Sequence, residues 1–117
     1  MSFNCVEEVL ESELKISKEE AKLFLLIVHN GRMGATKISQ MLNWSINETA
    51  EVARSLINRG MMIDITNTEY ESLHPRFAVT NRYRRRCQED NVQFTKNLKV
   101  DKIGIMLERP YNDARTK

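Results

Sequence analysis

The stretch from Ser17 to Gly31 constrains the fold more than any other part of the chain. Ser17 and Glu20 stand at capping-box spacing, in which the serine hydroxyl accepts from the Glu20 N–H and the Glu20 carboxylate accepts from the Ser17 N–H. This predicts a helix over Lys18 to Asn30, ended by Gly31, the residue type that tolerates a left-handed conformation beyond a last turn. Ala21, Leu23, Phe24, Leu25, Leu26, Ile27 and Val28 cover most of its circumference. A helix apolar nearly all round must be covered on several sides. The other elements therefore have to wrap it.

Phe3, Val6, Val9 or Leu10, and Leu14 recur at helical spacing and predict a short amphipathic helix over Phe3 to Glu13. A second short helix fits Thr36 to Leu42 and is held through Ile38, Met41 and Leu42, followed by a turn at Asn43-Trp44. Ser45 and Glu48 repeat the capping-box spacing and open a helix to about Arg59, with Gly60 as its stop. Met61 to Thr66 and Glu69 to Leu73 alternate as two strands about an Asn67-Thr68 turn. Pro75 starts a helix to about Asp90, with Val79, Tyr83 and Cys87 on its inward face and Arg82, Arg85 and Arg86 turned away. Val100, Ile103, Leu107 and Tyr111 fit a last helix, broken or kinked near Pro110, although Ile103, Ile105 and Leu107 also fit strand alternation.

Charge is unevenly placed. Residues 1–74 hold 7 Lys/Arg against 11 Asp/Glu, a net −4, while residues 75–117 hold 11 against 5, a net +6. The net charge of +2 therefore hides an acidic front and a basic back. The longest apolar run, Leu23 to Val28, falls far short of the roughly 20 residues a membrane helix needs. The glutamates at the N-terminus do not fit a signal peptide, and no membrane partner is expected. Cys5 and Cys87 are far apart and in no CxxC pair, which argues for a reducing, cytoplasmic setting without a structural disulfide or a zinc site. His29 and His74 are isolated, so no metal and no other cofactor is expected.

A core helix, two short helices with a tight turn, and a hairpin follow one another in the order of a winged helix-turn-helix. The fold expected is mainly α with a small β-hairpin, with additional N- and C-terminal helices. From Ser17 to about Tyr83 the chain resembles the N-terminal DNA-binding domain of the archaeal TrmB-like transcriptional regulators. The resemblance rests on Ser17, Glu20-Ala21-Lys22, Phe24 and Gly31, on Ala35-Thr36-Lys37-Ile38, on Val52-Ala53-Arg54-Ser55-Leu56, and on Arg59-Gly60-Met61-Met62. It implies a recognition helix from Ile46 to Arg59 in the major groove and a wing tip at Asn67-Thr68. Asn47, Ala50, Glu51 and Arg54 would then lie nearest the bases or phosphates, with Thr36, Lys37 and Ser45 close by. Glu48 and Glu51 on that helix, and Glu69 and Glu71 in the wing, stand where basic residues are more usual. Larger members of that family append a sugar-binding effector domain, for which 117 residues leave no room, so no small-molecule effector is expected.

Several of these residues have a structural role to set beside the functional one. Glu48 serves the capping box before it serves a base, Glu51 can accept from cytosine N4, and Arg54 can pair with Glu51 or reach guanine or phosphate. Arg76, Arg82, Arg84, Arg85 and Arg86 follow one another with no acid between, and guanidinium suits phosphate. Their alternative is a solvated face or a dimer interface. Trp44 is expected to plug the core, and Cys87 to act as a small buried hydrophobe. Tyr83 and Cys87, with Val100 to Leu107, offer a seam between two copies. No phosphate loop, G-x-S-x-G or HExxH is present, so no enzyme is expected.

The sequence thus predicts a homodimeric transcriptional regulator that binds double-stranded DNA. Residues 1–90 would form the DNA-binding domain and residues 91–117 a C-terminal extension that serves as a dimerisation helix. Two other readings stay open: a winged-helix adaptor for a protein partner, and a non-specific architectural DNA binder.

Overall fold

In chain order the elements are α1 (Phe3–Leu14), α2 (Lys18–Asn30), β1 (Met33–Gly34), α3 (Ala35–Leu42), α4 (Ile46–Asn58), β2 (Met62–Asp64), β3 (Glu69–Ser72), α5 (Pro75–Glu89) and α6 (Leu98–Arg115). The computed structural model describes residues 3–116, with side chains from Val6 onward, so the roles expected of the Phe3 and Cys5 side chains lie outside it. Helix α2 is the hub its sequence demands. Ser17 Oγ accepts from Glu20 N at 3.0 Å, and Ser17 N donates to Glu20 Oε1 at 2.7 Å. Gly31 closes the helix at φ 90°, a value that favours glycine, and its N–H donates to Ile27 O. Helices α1, α4 and α6 and strand β3 all pack on α2, and its apolar side chains other than Leu26 are buried.

Helices α3 and α4 form the helix-turn-helix. Asn43 turns the chain in the left-handed conformation at φ 58°, and Trp44 N donates to Ser39 O. Trp44 is half-buried and packs on the core. The second capping box forms as its spacing predicts, with Ser45 Oγ accepting from Glu48 N at 3.0 Å. The wing differs from a two-stranded hairpin. Met33–Gly34 adds a third strand, giving the antiparallel order β1-β3-β2. Two residues are too few to show a period of two, so this strand is invisible in the pattern. Strand β2 is also shorter than expected, and its turn is a loop over residues 65–68. In that loop Thr66 Oγ1 accepts from the N–H groups of Thr68 and Glu69 and ends the regular pairing.

Helix α6 is a helix rather than a strand, and Pro110 does not break it. The proline leaves only Met106 O without its donor four residues on, while the end beyond it is anchored by Arg115. That guanidinium donates to Val28 O at 3.0 Å, Ile27 O at 3.2 Å and both carboxylate oxygens of Glu71, and it stacks on Tyr111. It thereby ties α6 to the carbonyl end of α2, where a cation is favoured, and to the base of the wing.

Val100, Ile103 and Leu107 of α6 are buried in the same core as α1, α2 and α5, as are Tyr83 and Cys87 of α5. They are therefore not the seam between copies that their apolar character suggested. Cys87 is a free thiol.

The largest correction concerns Arg82, which is buried, with 2% exposure. Helix α5 buries two adjacent stripes, Val79-Tyr83-Cys87 and Pro75-Ala78-Arg82, because α6 and α1 cover it from two sides. Arg82 Nε donates to Leu14 O at 2.9 Å, Nη2 to Lys15 O at 3.3 Å and Nη1 to Glu89 at 2.9 Å. It closes the turn after α1 and is not available to phosphate. Arg82→Ala strands two carbonyls and a buried cavity, so urea denaturation should show a loss of roughly 3 kcal/mol. Arg82→Lys, lacking the planar fork, should recover only part of it.

Candidate nucleic-acid interface

Helix α4 buries Thr49, Ala53 and Leu56 against α2 and presents the opposite face to solvent. Asn47, Glu51, Arg54 and Asn58 are exposed on that face and Ala50 is half-buried. Asn47, Glu51 and Arg54 make no side-chain hydrogen bond or ion pair among the described residues, so the Glu51–Arg54 pair open to them is not formed. Thr36 and Lys37 at the start of α3 are exposed, as is Ser45, whose hydroxyl and N–H are both committed to Glu48. Asn67 and Thr68 are exposed at the wing tip, flanked by the exposed Ile65 and Thr66.

What holds α4 in place is a buried carboxylate. Glu20, 3% exposed, uses Oε2 to accept from Ser55 Oγ at 2.6 Å and from Arg59 Nε at 2.6 Å, while Oε1 serves the Ser17 cap. Burial alone would push this carboxyl up, but the bonds from Ser17, Ser55 and Arg59 outweigh it and leave the group lowered. Sequence reasoning gave Glu20 a capping role only. Its tie to α4 spans 35 and 39 residues and has no local signature. Arg59, which a basic DNA-facing surface would have used, is spent on this pair.

The arginine run is dispersed by the helix that carries it. Arg85 reaches back to α4, its Nη1 donating to Asn58 O at 2.8 Å. Asn58 is one turn beyond Arg54, so the Arg85 guanidinium lies at the C-terminal end of α4. Beside it Asn81 donates to Gly60 O, and a Cβ at Gly60 (φ 80°) would run into the Asn81 amide and the Arg85 guanidinium. Arg86 lies 3.1 Å from Asp90 and over the Tyr83 ring, Arg84 stacks on Phe94, and Arg76 sits against α6 near Glu108 at 3.6 Å. Of the predicted basic residues, then, Arg54 is exposed on α4 and Arg85 bonds its last turn, while Arg82 is buried and Arg76 and Arg86 lie beside Glu108 and Asp90.

A helix-turn-helix with an exposed polar outer face, joined to a hairpin that pairs with a strand ahead of it, is the frame of a winged helix. The family model of the sugar-specific transcriptional regulator TrmB matches residues 10–84. The chain belongs to the TrmB family. The match runs from the end of α1 into α5 and takes in the whole helix-turn-helix and wing, while α6 lies outside it. No curated protein and no solved structure matches the chain. The TrmB family is one of transcriptional regulators, not an enzyme class. Among the described residues no helix is long and apolar enough to cross a membrane, and no cluster of His, Cys, Asp and Glu could hold a metal ion.

Because Glu20 is lowered in the fold, its stabilisation is fully present above the ordinary carboxylate value and is lost as pH falls through the lowered one. Glu20→Gln should cost about 2 kcal/mol at neutral pH. The gap between the two proteins should narrow as urea midpoints are followed down through about pH 4.

Proposed function

We propose that this TrmB-family chain is a sequence-specific transcriptional regulator that binds double-stranded DNA as a homodimer in the cytoplasm. The observation that carries the reading is the outer face of α4, on which Asn47, Glu51 and Arg54 are exposed and uncommitted. The major groove admits an α-helix, and that face presents its side chains to the base edges as a recognition helix does. Arg54 suits guanine O6 and N7, Asn47 suits adenine, Glu51 accepts from cytosine N4, and Ala50 allows close approach to a thymine methyl. Thr36, Lys37 and Ser45 stand at the two helix N-termini, where backbone N–H groups and a lysine suit phosphate. Arg85 meets phosphate at the groove rim beyond Asn58. Asn67 and Thr68 carry the wing tip toward the neighbouring backbone as neutral hydrogen-bonding groups.

One observation favours a second reading, a protein-interaction adaptor. From Gly60 to Leu73 the wing carries Asp64, Glu69 and Glu71 and no lysine or arginine. Glu71 is neutralised by Arg115, which leaves Asp64 and Glu69 to repel a phosphate backbone. Such a wing limits non-specific affinity and leaves discrimination to α4.

The two arginines test the reading because they should differ. Arg54→Ala should cost on the order of 1–3 kcal/mol on a preferred site and less on random duplex. Arg85→Ala should weaken both about equally and lower the slope of log affinity against log salt by roughly 0.9. Fluorescence anisotropy at several salt concentrations checks both. Equal, salt-insensitive affinity of wild type and both variants would overturn the DNA reading in favour of the adaptor. Equal losses on every sequence would point to an architectural binder.

A further inference from the structure

Helix α6 buries one stripe and leaves another unpartnered. Leu98 is 72% exposed and Ile105 56% exposed. They stand seven residues apart, nearly two helical turns, so they share one stripe. Between them lie Asp101 and Lys102, neither of which forms an ion pair among the described residues. Beside this stripe runs an open groove between α6 and α5, walled on the α5 side by Arg76 and Thr80. The two helices cross closely at Gly104, where an added Cβ would lie 3.1 Å from Arg76 Cα. The positive charge of Arg76 on that wall is offset by Glu108 at 3.6 Å.

We infer that this stripe is the interface of the homodimer, with the α6 helices of two copies packed antiparallel about a twofold axis that passes between Asp101 and Lys102. The inference rests on the dimeric reading above and names its contact surface. In an antiparallel pair, residues equidistant from the axis face each other. Leu98 therefore meets Ile105 of the partner subunit, and Asp101 meets Lys102 of the partner subunit, each pair occurring twice. An isologous interface requires this self-complementarity, and the stripe has it in apolar character and in charge. A parallel pair would set aspartate against aspartate and lysine against lysine. Helices α4 and α6 both pack on α2, and the stripe uses no residue of α4.

The charges supply the test. Light scattering and sedimentation equilibrium on the full chain should show a dimer. Asp101→Lys places lysines opposite lysines twice and should weaken association by at least about tenfold. Lys102→Asp should do the same, whereas the double exchange Asp101→Lys with Lys102→Asp should restore the wild-type constant to within about threefold. Helical circular dichroism and melting of each variant show that the monomer still folds. If the chain is a dimer that neither single change weakens, or if the double exchange fails to restore it, this interface is wrong while the dimer stands. If wild type stays monomeric up to near-millimolar concentration, the dimeric reading falls with it, and DNA binding is judged separately by the arginine variants.

Discussion

The placement of α4 depends on one carboxylate. Glu20 stands in the first turn of the core helix and bonds at once to its own N-cap and to Ser55 and Arg59 near the end of α4. Apolar packing through Thr49, Ala53 and Leu56 is non-directional and would tolerate a helix rotated by several degrees. A charge-assisted pair of 2.6 Å bonds does not. Because Glu20 is nearly fully buried, leaving it unpaired is expensive, which penalises any other setting of α4. The rigid frame that presents Asn47, Glu51 and Arg54 thus originates one layer beneath them.

Electrostatics elsewhere follow the same economy. The basic back half of the sequence does not become one basic face. Arg82 closes the α1–α2 turn, Arg115 fastens α6 to α2 and the wing, and Arg59 neutralises Glu20. Only part of the positive charge remains for a phosphate backbone, and the wing offers none. In the proposed DNA complex, affinity then depends less on counterion release and more on the exposed side chains of α4, which suits a protein that must tell one site from many.

Much of the fold was legible because its signals are local. Both capping boxes, the Gly31 stop and the apolar circumference of α2 are fixed by residues within four positions of one another, and each formed where the spacing put it. The features that were not legible depend on distant partners. Helical phase alone turns Arg82 outward, because the apolar residues of α5 mark one inward row, and its second buried row exists only because α1 and α6 both cover the helix. Strand β1 is too short for any periodicity and exists by pairing with Met33 opposite Tyr70. At the candidate site, the exposed residues of α4 followed from helical phase alone. The Glu20 tie and the reach of Arg85 to Asn58 did not, since neither residue type nor spacing announces a bond across 27 to 39 residues.

The claim at the centre of this account is that α4 reads base sequence as one half of a symmetric pair. Selection from a pool of random duplex DNA tests it most directly. The account predicts enrichment of an inverted repeat whose half-sites lie about 10 base pairs apart, or a multiple of that. A pool that shows no enriched sequence after repeated rounds, with the folded protein present at micromolar concentration, would contradict it.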